Sequence, residues 1–236
     1  MEIKIVCTSL SEKDRAEERW GLSFLVGESL LFDTFGRPDV LLENIKAGNI
    51  DIGKIKHIVI SHDHWDHISG LWEFLKLNNN VRVYVCSHTS RETKLRIKGS
   101  GAEAVDVKEA CSITGNIFTT GEIKCAYKGG PLYEQAVILA AGGNISIITG
   151  CAHPGIVNMI DNVRSRYKSP VDLVMGGFHL KNQSEEEARK IALLIRDMGI
   201  RRIAPTHCTG EEASRVFREV FGRDFISLNE HSICVC

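Results

Sequence analysis

Six consecutive residues of this chain carry three imidazoles and two carboxylates, directly after an apolar run that reads as a buried strand. The segment is His-Asp-His-Trp-Asp-His at positions 62–67. In an extended segment residues two apart point the same way, so His62 and His64 can hold one cation from one side. If the chain then turns into a helix, Asp66 and His67 swing toward a second position a few ångströms away. This density of ligands predicts one metal ion and favours two.

Three later histidines stand in a similar setting, because each follows an apolar strand by a few residues and has glycine close by in the chain. Small neighbours let the backbone and a metal approach closely. We therefore predict that these histidines join the same site: His153, His179 and His207. The remaining histidines lack this setting and are expected on the surface or in hydrogen-bonded core positions.

Composition places the chain among ordinary globular proteins. Of 236 residues, 43% are hydrophobic and 25% are charged, and the net charge is -1. These values argue against a general nucleic-acid or membrane-surface binder. The N-terminus reads as a strand rather than a signal peptide, and no apolar run is long enough to cross a bilayer. We expect a cytoplasmic protein with a single domain over residues 1–236, and the sequence leaves a homo-oligomer open.

The order of predicted elements indicates an α/β fold. Strands precede helices around a hairpin at 22–33, and the same order recurs around a second hairpin at 137–149. We therefore predict two β-rich halves packed sheet to sheet, with helices on the outer faces. The predicted helices are 38–47, 68–77, 87–98, 156–167, one capped by Ser184 with Glu187, and one capped by Thr209 with Glu212. A charged segment at 10–19 is either a solvated surface or a flap over a site, and a late strand is predicted at 225–228.

The ligand cluster and the later strand-end histidines resemble the metallo-β-lactamase superfamily. The resemblance extends from Asp33 to His207 and implies that family's αββα sandwich. It implies two metal sites. The first metal would take His62, His64 and His153. The second metal would take Asp66, His67 and His207.

One departure from the family pattern concerns the bridge between the two metals. Binuclear members commonly have a bridging aspartate after the strand between the last two histidines. This chain has Val-Met-Gly-Gly-Phe-His at 174–179 there, and Asp172 comes too early. The second metal is therefore expected to bind more weakly or to be absent in some preparations. His179 is expected to ligate, bind substrate or donate a proton. Asp63 is expected either to orient a ligand histidine or to be a plain loop carboxylate, and Asp33 to cap the backbone rather than to reach the site.

A narrower resemblance rests on Gly-Cys-Ala-His-Pro-Gly-Ile at 150–156, Gly-Gly-Phe-His-Leu at 176–180, Pro-Thr-His-Cys-Thr-Gly at 205–210, and Glu134-Gln135. These segments resemble a branch that includes an archaeal synthase of methanopterin biosynthesis. That branch implies an enzyme that condenses a pterin methyl diphosphate with a ribofuranosyl-aminobenzene phosphate and releases pyrophosphate. The basic residues of the predicted helix 87–98 are expected to form a solvated face, or else to bind substrate phosphate.

Two other functions remain open on the residues alone. The same ligands would suit a binuclear hydrolase of a phosphodiester, lactone or thioester. A metal- or redox-sensing module would use Cys151 and Cys208, which stand beside candidate ligands. The expected cofactor is one or two divalent metal ions, zinc (Zn²⁺) first, with Mn²⁺ or Fe²⁺ as alternatives. The expected partner is a small phosphorylated substrate, not a nucleic acid or a membrane.

Overall fold

The computed structural model of this protein describes residues 1–17 and 19–235, so Glu18 and Cys236 lie outside the described residues. Within them, most strands belong to two sheets. The first sheet has the spatial order β15 (Ile233–Val235), β1 (Glu2–Thr8), β2 (Leu22–Val26), β3 (Leu30–Phe32), β4 (His57–Val59), β5 (Arg82–Cys86) and β6 (Glu103–Val107). The second sheet has the order β14 (Arg202–Thr206), β13 (Val171–Gly177), β12 (Asn144–Thr149), β11 (Val137–Ala141), β8 (Ile117–Gly121) and β7 (Glu109–Thr114). A separate antiparallel pair joins β9 (Ile123–Tyr127) and β10 (Gly130–Glu134).

Helices cover the outer faces of the two sheets. The helices are α1 (Glu12–Ala16), α2 (Pro38–Ala47), α3 (Trp65–Ile68), α4 (Leu71–Leu77), α5 (Arg91–Gly99), α6 (Ile156–Arg166), α7 (Glu185–Asp197) and α8 (Glu211–Phe221). The inner faces of α2, α4 and α5 pack on the first sheet, and those of α6, α7 and α8 pack on the second. Among the described residues, no helix combines the length and the apolarity that a bilayer crossing needs.

A third apolar cluster lies between the sheets. Phe24 and Phe32 of the first sheet share it with Val137 and Met175 of the second, and all four are fully buried. Alternating strand residues point to opposite faces, so each sheet supplies one face to this cluster and the other to its helices. The predicted αββα sandwich is confirmed.

Parallel pairing brings the site residues to one edge of the sandwich. Strands β3, β4 and β5 run parallel in the first sheet, and β12, β13 and β14 run parallel in the second. The carboxyl ends of parallel neighbours meet at the same edge of a sheet. The loops after these strands carry Asp33, the cluster at 62–67, the loop at 150–153, His179 and His207.

Three predictions about the ends or extent of elements were wrong. The helix expected from 68 begins earlier, as α3, and breaks at Gly70 before α4. Thr209 does not cap α8; the N-cap is Gly210, and the Thr209 hydroxyl accepts a hydrogen bond from the Phe178 N–H at 3.0 Å. The strand expected at 225–228 is reduced to a single bridge from Phe225 to Ile203. The cap at Ser184 is confirmed, since its side chain accepts from the Glu187 N–H.

Candidate metal centre

The edge that carries the cluster has unusual backbone. Asp33, Ala152, His179 and His207 each have φ between 52° and 56°, in the left-handed region that glycine usually fills. Such a conformation costs a non-glycine residue roughly 1–3 kcal/mol and is found mostly at functional sites. Here it falls at residues that come one to three positions after β3, β12, β13 and β14, where the chain leaves each strand.

The first ligand group contains His62, His64 and His153. One nitrogen from each ring lies within 4.8 Å of the other two, and His62 Nε2 is 3.0 Å from His64 Nδ1. Both ring nitrogens of His153 are buried and have no hydrogen-bond partner among the described residues. Buried polar atoms are normally paired, so these orphaned nitrogens fit a site that a cation completes.

The protonation of this group also suits a metal. Burial, together with the neighbouring histidines, lowers the pKa of His62 well below its usual value, and burial lowers that of His64. Burial and the nearby His179 and His64 lower the pKa of His153 to about 2. These three imidazoles are therefore neutral at neutral pH, which is the state in which histidine binds a metal.

The second ligand group contains Asp66, His67, His207 and Cys151, all buried. Asp66 Oδ2 is 3.6 Å from His67 Nε2 and 3.3 Å from His207 Nε2. Cys151 Sγ is 3.3 Å from His67 Nε2. The four ligand atoms all lie within 4.8 Å of one another and offer mixed oxygen, nitrogen and sulfur donors.

Asp33 holds His67 in place from behind. Its buried carboxylate accepts hydrogen bonds from His67 Nδ1, from the Ser61 N–H and from the Ser61 hydroxyl, each at 2.7 Å. Burial disfavours charge on His67, but the carboxylates of Asp33 and Asp66 outweigh it and raise the pKa of His67 to about 9. The expectation that Asp33 only caps the backbone was wrong, because its partners lie 28 and 34 residues along the chain.

A second buried carboxylate, Glu134, organises the loop that supplies ligands to both groups. It accepts the consecutive N–H groups of Cys151, Ala152 and His153, each at 2.8 Å. Burial raises the pKa of Glu134 to about 7, although these three hydrogen bonds act in the opposite direction. In the sequence, Glu134 was noted only as part of a family resemblance. Its role could not be predicted because it depends on a contact with a loop 17 to 19 residues later in the chain.

Of the two predicted catalytic residues, His179 lines the cavity of the site and Asp63 does not. His179 is exposed at the mouth of the site, with its ring centroid 4.2 Å from that of His153, and it joins Cys151 and Cys208 in a third group of candidate ligand atoms. A hydrogen bond with Cys208 raises the pKa of His179. Asp63 is exposed and makes no hydrogen bond to any other described residue. The catalytic roles of His179 and Asp63 stay predictions.

A cavity of about 330 Å³ opens over both ligand groups. Besides candidate ligands, its lining includes three aromatic side chains and three cationic ones. These are Trp20, Trp65 and Tyr127, and Arg15, Lys128 and Lys181. The basic helix α5 is not part of this lining. Its Lys94 pairs with Asp106 and its Arg96 lies over the Trp72 ring, so α5 presents a solvated face.

Comparison with known proteins agrees with this geometry. A family model described as the metallo-beta-lactamase superfamily matches residues 21–207. The chain belongs to this superfamily. The resemblance of the cluster and the later histidines is thereby confirmed, and members of the superfamily typically bind divalent metals.

Two relatives align over nearly their whole length. The chain is 27% identical to the 7,8-dihydropterin-6-methyl-4-(beta-D-ribofuranosyl)-aminobenzene-5′-phosphate synthase of Methanocaldococcus jannaschii, over 90% of this chain and 88% of that protein. The crystal structure of a metal-dependent hydrolase of the beta-lactamase superfamily is 26% identical, with a TM-score of 0.79, and the match covers 100% and 99% of the two chains. A metallo-beta-lactamase fold protein of Bacillus subtilis is similar in fold alone, at 14% identity, a TM-score of 0.73 and 99% coverage of both chains.

Proposed function

We propose that this chain is a metal-dependent enzyme that condenses a pterin methyl diphosphate with a ribofuranosyl-aminobenzene phosphate and releases pyrophosphate. The observation that carries the proposal is the cavity over the ligand groups, because it combines three aromatic with three cationic side chains. Planar rings and phosphates are the two chemical features that such substrates share. The similarity to the Methanocaldococcus jannaschii synthase over 90% of the chain supports the same reaction class.

Two groups of residues would hold the metals. His62, His64 and His153 would hold one ion, and Asp66, His67 and His207 a second ion. The imidazoles of the first group are neutral, and the second group adds a buried carboxylate, so the donors match those that Zn²⁺, Mn²⁺ and Fe²⁺ accept. Because Asp33 and Asp66 raise the pKa of His67 to about 9, that ring would release a proton when it binds an ion. When bound, the cations would supply a Lewis acid that neutralises charge on a departing diphosphate.

The chain's own side chains would bind and orient the substrates. Lys181 Nζ lies 5.2 Å from the centre of the Trp20 ring, and Lys128 Nζ lies 5.2 Å from that of Tyr127. Each ammonium thus stands beside an aromatic face, and such a pair can bind a phosphate and a ring of one substrate together. Arg15, on α1, adds a third cation within the segment predicted as a surface or a flap.

In the condensation, a bond forms between the methylene carbon and the amino nitrogen of the aminobenzene. The carbon–oxygen bond to the diphosphate breaks, and the diphosphate leaves with the bonding electrons. The nitrogen loses one proton. His179 lines the cavity beside His153 and is the imidazole outside the two proposed ligand sets that can exchange a proton there.

A second candidate function is a metal-dependent hydrolase of a phosphodiester, lactone or thioester. It is favoured by the 26% identity, over the whole chain, to a protein described as a metal-dependent hydrolase. In that reaction the same ligands would hold the metals, a water molecule would be the nucleophile, and His179 would exchange a proton with it.

Pyrophosphate release separates the two functions. Metal-reconstituted protein would be given the dihydropterin methyl diphosphate with and without the ribofuranosyl-aminobenzene phosphate, beside a panel of phosphodiesters, lactones and thioesters. Release that requires both substrates supports the synthase. Hydrolysis of a panel member, with no release from the substrate pair, refutes it in favour of the hydrolase.

The cavity cations can be tested in the same assay. Lys128→Ala and Lys181→Ala should each raise KM by about tenfold or more, since a charge-assisted hydrogen bond contributes roughly 1.5–3 kcal/mol. Lys190→Ala is the matched control, because Lys190 is exposed on α7 and pairs with Glu186 outside the cavity. Unchanged KM values in both cavity variants would contradict the assigned phosphate contacts.

A further inference from the structure

Cys151 lies where the second ligand group needs one more donor. Its Sγ is 3.3 Å from His67 Nε2, and Asp66 Oδ2 is 3.3 Å and 3.6 Å from the nitrogens of His207 and His67. Four donors at bond lengths near 2.0–2.3 Å around a tetrahedral ion stand about 3.3–3.6 Å apart. The observed separations therefore have the size of the edges of a tetrahedral metal shell.

The direction of the thiol follows from the loop that carries it. Ala152 has a φ of 56°, so the chain reverses between Cys151 and His153. Glu134 fixes this reversal by accepting all three successive N–H groups. One short loop thus turns an imidazole to the first group and a thiol to the second.

The hydrogen bonds of His67 place the thiol on the metal-facing side of the ring. His67 Nδ1 is bound to Asp33, so its contact with Cys151 involves the opposite nitrogen, which also faces Asp66. Phe178 and His179, which follow β13 at the same edge, add no carboxylate. The second group would otherwise have three protein donors.

We infer that the Cys151 thiolate is the fourth protein ligand of the second metal. The thiol releases its proton to solvent when the ion binds. A thiolate is a soft donor, so this site selects Zn²⁺ or Co²⁺ over Mn²⁺. The inference rests on the metal centre of the proposed function and is independent of its substrates.

Cys208 provides the matched comparison. It is also buried and adjoins the same cluster, and its Sγ is 3.6 Å from the Cys151 carbonyl oxygen. It groups with Cys151 and His179 but not with Asp66, His67 and His207. A serine at either position changes one atom, so the two variants differ chiefly in which thiol is lost.

Cobalt titration of the chelator-treated chain tests the inference, because a cobalt–thiolate bond gives a charge-transfer absorption in the near ultraviolet. The wild-type chain should bind two equivalents, and one of them should produce this band. Cys151→Ser should lose the band and bind one equivalent at least about tenfold more weakly. Cys208→Ser should keep the band. Cys151→Asp should bind both equivalents without the band, which shows that the site survives in a folded chain.

Other results overturn the inference. Two cobalt equivalents without the band in the wild-type chain would exclude a thiolate ligand and leave the rest of the proposed centre standing. A band that survives Cys151→Ser and disappears in Cys208→Ser would assign the ligand to Cys208. A wild-type chain that binds no cobalt would overturn the inference together with the metal centre of the proposed function.

Discussion

Replacement of Asp33 by asparagine removes one charge from a carboxylate that receives three hydrogen bonds. If the amide oxygen keeps the bond from the Ser61 N–H, the amide NH₂ faces the Ser61 hydroxyl and His67 Nδ1. His67 must then accept at Nδ1 and carry its proton on Nε2, the nitrogen that faces Asp66. In the opposite orientation of the amide, its NH₂ opposes the Ser61 N–H. That second orientation keeps the Nδ1–H of His67 bonded but sets two donors against each other, so either arrangement loses an interaction that positions His67 for a metal.

The expected loss of metal affinity follows from the contact of Asp33 with His67, a proposed ligand, on the side of the ring away from the metal. Loss of such a partner typically reduces metal affinity 10–100-fold, or about 1.4–2.7 kcal/mol. We expect Asp33→Asn to weaken one of two zinc equivalents by this factor and to leave the other within about threefold, because the first group does not contain His67. Competition with a chromophoric chelator would resolve both equivalents. Asp161→Asn, the same change at an exposed position on α6, is the control. If Asp33→Asn folds normally and binds both equivalents as the wild-type chain does, the reasoning about the His67 tautomer is wrong.

Three further predictions concern packing, proton exchange and metal removal. Gly150→Ala would place a Cβ 2.1 Å from the Ser61 hydroxyl oxygen, and a denaturant titration should show a loss of about 1–3 kcal/mol in the free energy of unfolding. Gly99→Ala is the control, because a Cβ there meets nothing within 4 Å and should cost far less. His179→Ala should keep both metal equivalents but reduce turnover by about 10²–10⁴-fold; loss of a whole equivalent, measured by elemental analysis, would make His179 a ligand instead. Removal of metal by a chelator should lower the melting temperature, because each ion at 100 times its Kd stabilises the fold by about 2.7 kcal/mol. An unchanged melting temperature would contradict a centre that spans both sheets.

The geometry of the first six-residue cluster could be predicted because it is local. Strand periodicity places His62 and His64 together, and their ligand nitrogens do lie 3.0 Å apart. The turn that brings Asp66 and His67 to the second group begins at Trp65, one turn earlier than expected. His64 has extended backbone and stands at the N-cap of that turn without a side-chain cap. The residues that usually cap a helix therefore gave no signal there.

The supporting carboxylates could not be predicted in the same way. Asp33 and Glu134 act on residues 34 and 17 positions away, respectively, and neither contact follows from spacing along the chain. The cavity cations show the same limit. A helix with four basic residues drew attention in the sequence, whereas the cavity is lined by single cations from three separate segments. Charge density along the chain therefore agrees with the expected solvated face of α5 but does not indicate which cations line the cavity.

Each ligand group draws its members from both sheets, and this makes the centre a property of sheet packing rather than of any single loop. Residues after β4 in the first sheet meet residues after β12 and β14 in the second. Gln135 joins the sheets at this edge: its backbone N–H donates to the Ser61 carbonyl and its side-chain amide donates to the Ile60 carbonyl, both at 2.9 Å. Thr119 donates to the remaining amide oxygen at 2.6 Å, so the side chain is fixed at both ends. A buried amide that binds no metal therefore joins the two sheets at the edge where ligands from 62–67 meet ligands that lie more than 80 residues later in the chain.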